Sequence, residues 1–126
     1  MADTIKGKRV TVTGGSGFLG RVVVDLLRTQ KPAELLIPRS KECDLRKMEN
    51  CLRVTEAQDL LVHLAAHVGG IGLNQEKPGE LFYDNAIMGI QLIEAARLNQ
   101  VKKVVIVGTI CAYPKFTPTP FKEEDL

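Results

Sequence analysis

The sequence predicts an α/β fold: a single parallel, doubly wound sheet with helices on both faces. Two observations carry this. Short apolar runs alternate along the chain with longer stretches of helical periodicity, the pattern of right-handed βαβ crossovers. The third and fourth runs, "LLVHL" and "VVIV", are apolar almost without interruption, as strands covered on both faces must be.

Residues 8–13 (KRVTVT) form the first strand. In Phe18–Thr29, Leu19, Val22, Val23, Leu26 and Leu27 recur on one helical face, and Pro32 closes that helix. Residues 34–37 (ELLI) make the second strand. Asp44 then stands as N-cap of a short helix over residues 45–54. Residues 58–64 (QDLLVHL) are the third strand, and residues 65–74 a glycine-rich loop. A long helix over residues 78–99 carries Leu81, Phe82, Met88, Leu92, Ile93, Ala95 and Ala96, with Asn85 interrupting its apolar face to bond backbone across to the neighbouring strand. Residues 101–107 are the fourth strand. Beyond it Pro114, Pro118 and Pro120 forbid regular structure. The expected strand order is 3-2-1-4, with strand 4 an open edge, so the chain reads as part of a larger sheet.

The 126 residues suit one domain. A net charge of +2, with scattered lysines and arginines, offers no nucleic-acid surface. No apolar run reaches the ~18 residues of a membrane span. Three cysteines without CxxC spacing suggest neither a disulfide framework nor a zinc site, and point to a reducing cytoplasm. His63 and His67 lack metal-ligand company. His63 reads as structural, while His67 either faces a substrate cleft or is idly exposed. Asp3, Lys115 and the tail acids Glu123, Glu124 and Asp125 have no assigned chemistry.

The strongest motif is "VTVTGGSGFLG". Gly14, Gly17 and Gly20 follow a strand and open a helix, the context of a dinucleotide fingerprint in a Rossmann-type fold. Gly14 permits the tight turn, Gly17 admits a pyrophosphate to the backbone, and Gly20 lets helix and strand pack. Gly15, Ser16, Phe18 and Leu19 complete the loop, and the helix N-terminus offers free N–H groups to phosphate. After the second strand comes Pro38-Arg39-Ser40-Lys41, with no carboxylate until Glu42. Basic Arg39 and Lys41 around Ser40 favour NADP over NAD. Asp44 could cap its helix, reach an adenine, or do both.

Taken together, "VTGGSGFLG", "HLAAHVGGIGLN", "FYDN" and "GTICAYPKFTPTPFKEEDL" resemble the extended short-chain dehydrogenases/reductases, the NAD-dependent epimerase/dehydratase family, and within them the GDP-L-fucose synthase branch. The resemblance implies an NADP-dependent epimerase and reductase converting GDP-4-keto-6-deoxy-mannose to GDP-L-fucose. It implies that residues 14–20 hold the pyrophosphate. Ser40, Lys41, Asp44 and Leu45 would face the adenosine, and Leu64, Ala65 and Ala66 the middle of the cofactor. Val107, Gly108 and Thr109 would pass under the nicotinamide. Thr109 stands where the family places a catalytic serine, and Cys111 matches its epimerisation acid–base cysteine. A homodimer through the helix over residues 78–99 is also implied.

The family's Tyr-x-x-x-Lys pair and its nucleotide-sugar domain have no counterpart here. Four residues after Tyr113 stands Thr117, and Pro114 breaks the helix such a pair requires. The expectation is an incomplete NAD(P)-binding domain, inactive alone. Two further readings remain: an NAD-dependent nucleotide-sugar 4-epimerase or 4,6-dehydratase, and a non-catalytic dinucleotide-binding fragment.

Overall fold

The computed structural model describes residues 4–126; Asp3 lies outside the described residues. The order is β1 (Arg9–Thr13), α1 (Phe18–Thr29), β2 (Glu34–Leu36), α2 (Met48–Thr55), β3 (Leu60–His63), α3 (Ile71–Glu76), α4 (Pro78–Leu98) and β4 (Lys103–Ile106). Short 3-10 turns follow at Ile110–Ala112 and Glu123–Asp125. The α/β class is as expected. Its elements fall within a few residues of the expected spans, except that α3 forms inside the glycine-rich loop.

The four strands are parallel and run in the order β2-β1-β3-β4. This corrects the expected order 3-2-1-4: the third strand joins β1 on the side away from β2, and β4 pairs with β3 rather than with β1. Two features agree with this order. Pro32 and Pro38 stand two residues beyond either end of β2, which keeps this three-residue strand short and suits it to an edge. Residues 37–47, which follow it, form turns and no strand.

Crossover handedness then distributes the helices. The step from β1 to β2 places α1 on one face of the sheet. The step from β2 back past β1 to β3 runs the other way, so the same right-handed rule puts α2 on the opposite face. The step to β4 continues in that direction and sets α4 beside α2. Two cores result. Val10, Val12, Leu60 and Val62 meet Val24 of α1, with Val23 and Leu27 packed against them. On the other face Leu61 gathers Cys51 and Val54 of α2 with Leu92, Ala95 and Ala96 of α4. Leu61 and Leu92 are almost fully buried, each worth about 1.5–3 kcal/mol of apolar burial.

Several polar groups of the second core find partners across it. Thr11 Oγ1 donates to Val54 O at 2.6 Å. Asn99, just past α4, donates to Leu52 O and Thr55 Oγ1, both at 2.8 Å, tying α4 to α2. Asp44 does not cap α2, which begins three residues later than expected, at Lys47–Met48. Its carboxylate instead takes the N–H of Arg46 and that residue's guanidinium.

The first core uses less of α1 than the periodicity suggested. Val23, Val24 and Leu27 meet the sheet and Gly20 the loop before α1, whereas Leu19, Val22 and Leu26 face outward. All four residues of β4 are exposed, so the open edge expected of strand 4 is present. No helix among the described residues is long and apolar enough to cross a membrane.

Candidate functional site

The winding of the sheet reverses between β1 and β3, and their carboxyl ends open a crevice there, the position at which open α/β sheets bind ligands. A cleft of about 630 Å³ fills it. One wall is the loop from β1 into α1, with Gly14, Ser16, Gly17 and Phe18. A second is the segment after β2, with Pro38, Ser40, Cys43, Asp44, Leu45 and Arg46. The third joins Leu64, Ala65, Ala66, His67 and Val68, after β3, to Glu80, Asp84 and Met88 of α4.

The three glycines of the fingerprint have distinct roles. Gly14 has φ +71°, and a Cβ on it would lie 2.6 Å from Ala65 N and from Leu64 C. A Cβ on Gly20 would run into Gly14 O and come within 2.6 Å of Gly15 Cα, so this glycine lets α1 close onto the loop. Gly17 has only Gly14 O nearby, at 3.2 Å, and its open side is the cleft. It is the N-cap of α1 and supplies no side chain to the first-turn N–H groups, which remain available to an anion. Gly15 is a fourth tight position, packed under the loop against Ile37 and Val24. Arg21 Nε donates to Ser16 O at 3.1 Å and steadies the turn.

The opposite corner is ionic. The Arg46 guanidinium spans two carboxylates: Nε and Nη2 donate to Asp44 at 2.9 and 3.0 Å, and Nη1 lies 3.1 and 3.2 Å from the two oxygens of Asp84. Asp84, a buried carboxylate, also accepts from His67 Nδ1 at 2.8 Å. Its carboxyl is held below the usual range, first by the His67 hydrogen bond and then, against the opposing cost of burial, by Arg46. Asp44 is lowered by the Arg46 side-chain hydrogen bond. Asn85 fixes the loop itself: its Oδ1 accepts His67 N–H and its Nδ2 donates to His67 O, both at 2.8 Å. Asn85 thus bonds backbone in the loop after β3 and at Leu81 of its own helix, not in the neighbouring strand as expected.

His67, Glu80 and Asp84 also present ligand atoms within 4.8 Å of one another. Arg46 and His67 already engage the Asp84 carboxylate. His63, by contrast, is buried below the cleft with Nδ1 2.6 Å from Thr13 Oγ1, and burial pushes its pKa down. Burial with a hydrogen-bond partner agrees with the structural reading of His63.

A model of the NAD dependent epimerase/dehydratase family matches residues 10–126. The chain belongs to that family. Among its relatives, a GDP-mannose 3,5-epimerase of Oryza sativa subsp. indica is 30% identical over 93% of this chain and 36% of its own. A GDP-L-fucose synthase of Sinorhizobium fredii is 31% identical over 97% of this chain and 39% of its own. Among solved structures, a GDP-L-fucose synthetase from Naegleria fowleri bound to NADP superposes with a TM-score of 0.82 at 27% identity, over 96% of this chain and 37% of that one. The chain therefore spans well under half the length of these relatives.

Within this epimerase/dehydratase fold the expected cofactor residues divide. Gly14, Ser16, Gly17, Phe18, Ser40, Asp44, Leu45, Leu64, Ala65 and Ala66 converge on the cleft. Gly15 and Gly20 are buried beneath it, and Leu19 faces outward from α1. Arg39 and Lys41 are exposed beside Ser40 and do not line it. Val107, Gly108, Thr109 and Cys111 continue the chain beyond β4, exposed and not among the residues lining the cleft. Arg46 and Asp84 belong to the site but were missed. The available signal was "FYDN": a carboxylate on the same helical face as Leu81 and Met88 needs a partner when buried.

Proposed function

We propose that this chain is the cofactor-binding portion of an NADP-dependent nucleotide-sugar epimerase/reductase of GDP-L-fucose synthase type, acting on GDP-4-keto-6-deoxy-mannose. The observation that carries the reading is the glycine loop at the switch-point cleft. Gly14 and Gly20 are closed in by backbone while Gly17 opens onto the ligand space beside free helix N–H groups. NADP is favoured by the lip of the cleft. Ser40 lines it, and neither Arg39 nor Lys41 forms an ion pair among the described residues, so two uncommitted cations flank the place for a 2′-phosphate.

Thr109 and Cys111 are the proposed catalytic residues. Thr109 Oγ1 accepts the Cys111 N–H at 3.2 Å, which fixes both in one turn. They follow β4, the neighbour of β3, so a sugar ring reaching past Ala66 would approach them. The Thr109 hydroxyl would donate to a C4 carbonyl, and the Cys111 thiol would exchange a proton at the adjacent carbon. Bound NADPH would supply the hydride. No Tyr-x-x-x-Lys pair occurs in the 126 residues, so the chain alone binds cofactor without turnover. Exposed Phe82, Tyr83, Ile90 and Ile93 on α4 support a homodimer through that helix. Three free thiols suit a reducing cytoplasm.

A second reading, a GDP-mannose 3,5-epimerase, is favoured by the 30% identity to the rice enzyme. Calorimetric titration with NADPH and NADH tests the main proposal: saturable binding that prefers NADPH is expected. A preference for NADH would favour an NAD-dependent epimerase or dehydratase, and no binding of either would overturn the cleft as a cofactor site.

A further inference from the structure

We propose that Arg46 is a positioning residue of the cleft: by bridging Asp44 and Asp84 it ties two walls together and presents Asp44 to the purine base of a bound dinucleotide. This rests on reading the cleft as a dinucleotide site. The Arg46 guanidinium forks onto both oxygens of Asp44, with Nε at 2.9 Å and Nη2 at 3.0 Å. Its backbone N–H adds a third bond to the same carboxylate at 3.0 Å. The remaining arm, Nη1, reaches across to the oxygens of Asp84 on α4 at 3.1 and 3.2 Å. Asp84 is a buried anchor, engaged in turn by His67 Nδ1 at 2.8 Å. Among the described residues no other hydrogen bond joins the segment after β2 to α4. Only a planar fork spans two carboxylates in this way.

The tie governs a side chain rather than the fold. Cys43 and Leu45 hold the segment independently, buried in one core with Leu92, Ala95 and Ala96. Asn50 Nδ2 secures its backbone by donating to Asp44 O at 2.9 Å. What Arg46 adds is the orientation of the Asp44 carboxylate, which lines the cleft and is 33% exposed. An ionised carboxylate offers about four acceptor sites and no donor. Arg46 takes two on Oδ1 and one on Oδ2, so Oδ2 keeps an acceptor site for a ligand that donates. The donors at the adenosine end of a dinucleotide are the ribose hydroxyls and the exocyclic amino group of adenine. The ribose belongs beside Ser40, between Arg39 and Lys41, where a carboxylate would repel a 2′-phosphate. Asp44, four residues further on, is left to the amino group.

The test compares NADPH with its hypoxanthine analogue, in which a carbonyl oxygen replaces the amino group. Calorimetry on the parent chain should show a preference for NADPH of about tenfold, the loss expected when a donor to a charged acceptor is removed. In Arg46→Met the preference should fall to within about twofold. The ratio is read within one variant, so a reduced folded fraction cancels from it. Asp44→Asn should lose the preference as well, and adding Arg46→Met to it should change the ratio no further, because Arg46 acts through Asp44. Asp84→Asn cuts the tie from α4 with Arg46 in place and should lower the ratio at least about threefold. A parent chain that binds both dinucleotides equally, or an unchanged ratio in Arg46→Met or Asp84→Asn, overturns the inference alone. If neither dinucleotide binds the parent chain, the cleft reading falls and this inference with it.

Discussion

Gly14 and Ala65 face each other across the mouth of the cleft with no room for a methyl group: a Cβ on Gly14 would lie 2.6 Å from the Ala65 nitrogen. This contact joins the loop after β1 to the end of β3 and so shapes the switch point itself. Gly14→Ala meets both a left-handed backbone and a backbone collision. A loss of about 3 kcal/mol in urea unfolding is expected.

Gly17→Ala separates binding from folding. Its φ of −76° suits alanine and its Cβ would point to open cleft, tight only against Gly14 O. Stability should hold within about 1 kcal/mol, while NADPH affinity falls at least about tenfold as the methyl group displaces the pyrophosphate. Equal affinity for the variant and the parent in calorimetry would remove Gly17 from the site.

Thr13 and His63 make a pH-dependent joint in the core. Burial lowers the pKa of His63, so the folded state keeps the ring neutral while the unfolded chain protonates near 6.5. The unfolded state then binds the extra proton, and the sign follows: this contribution is complete above 6.5 and is lost as pH falls toward the lower folded value. Unfolding midpoints should decline through that window, and His63→Gln should remove part of the decline. Thr13→Ala leaves Nδ1 without its 2.6 Å partner and should cost about 1–3 kcal/mol.

The cysteines differ in exposure as sharply as in proposed role. Cys111 is exposed, whereas Cys43 and Cys51 are buried, and burial pushes the Cys51 thiol up to about 11. A thiol reagent at pH 8 should therefore modify one group per native chain and three in denaturant. Cys111→Ser should abolish the native reaction and leave NADPH binding unchanged, because Cys111 lies outside the cleft.

What was legible in the sequence depended on the range of the interaction. The glycine loop and the start of α1 at Phe18 are local matters of φ, close approach and helix entry, and they sit where the motif placed them. The strand order was not legible, since four alternating units fit several right-handed windings. The observed order brings α2 and α4 together on one face, a long-range packing that no local pattern specifies. Asp44 reads as an N-cap locally, yet Arg46, two residues on, outcompetes the helix for its oxygens. Asp84, the hub of the ionic corner, takes partners 17 and 38 residues away, and no local pattern announces them.

The exposed side of α1 gives a last test. Phe18, Val22 and Leu26, four residues apart, are 97%, 57% and 62% exposed. Side chains at i and i+4 form one stripe, so these are an apolar face without a covering layer. Such a patch promotes association while adding nothing to the fold of the isolated chain. Val22→Lys with Leu26→Lys should therefore leave the unfolding free energy within about 0.5 kcal/mol per site. The same variant should reduce concentration-dependent self-association in analytical ultracentrifugation. A marked loss of stability would show that Val22 and Leu26 are packed in solution, and unchanged association would assign the contact to another surface, such as the exposed face of α4.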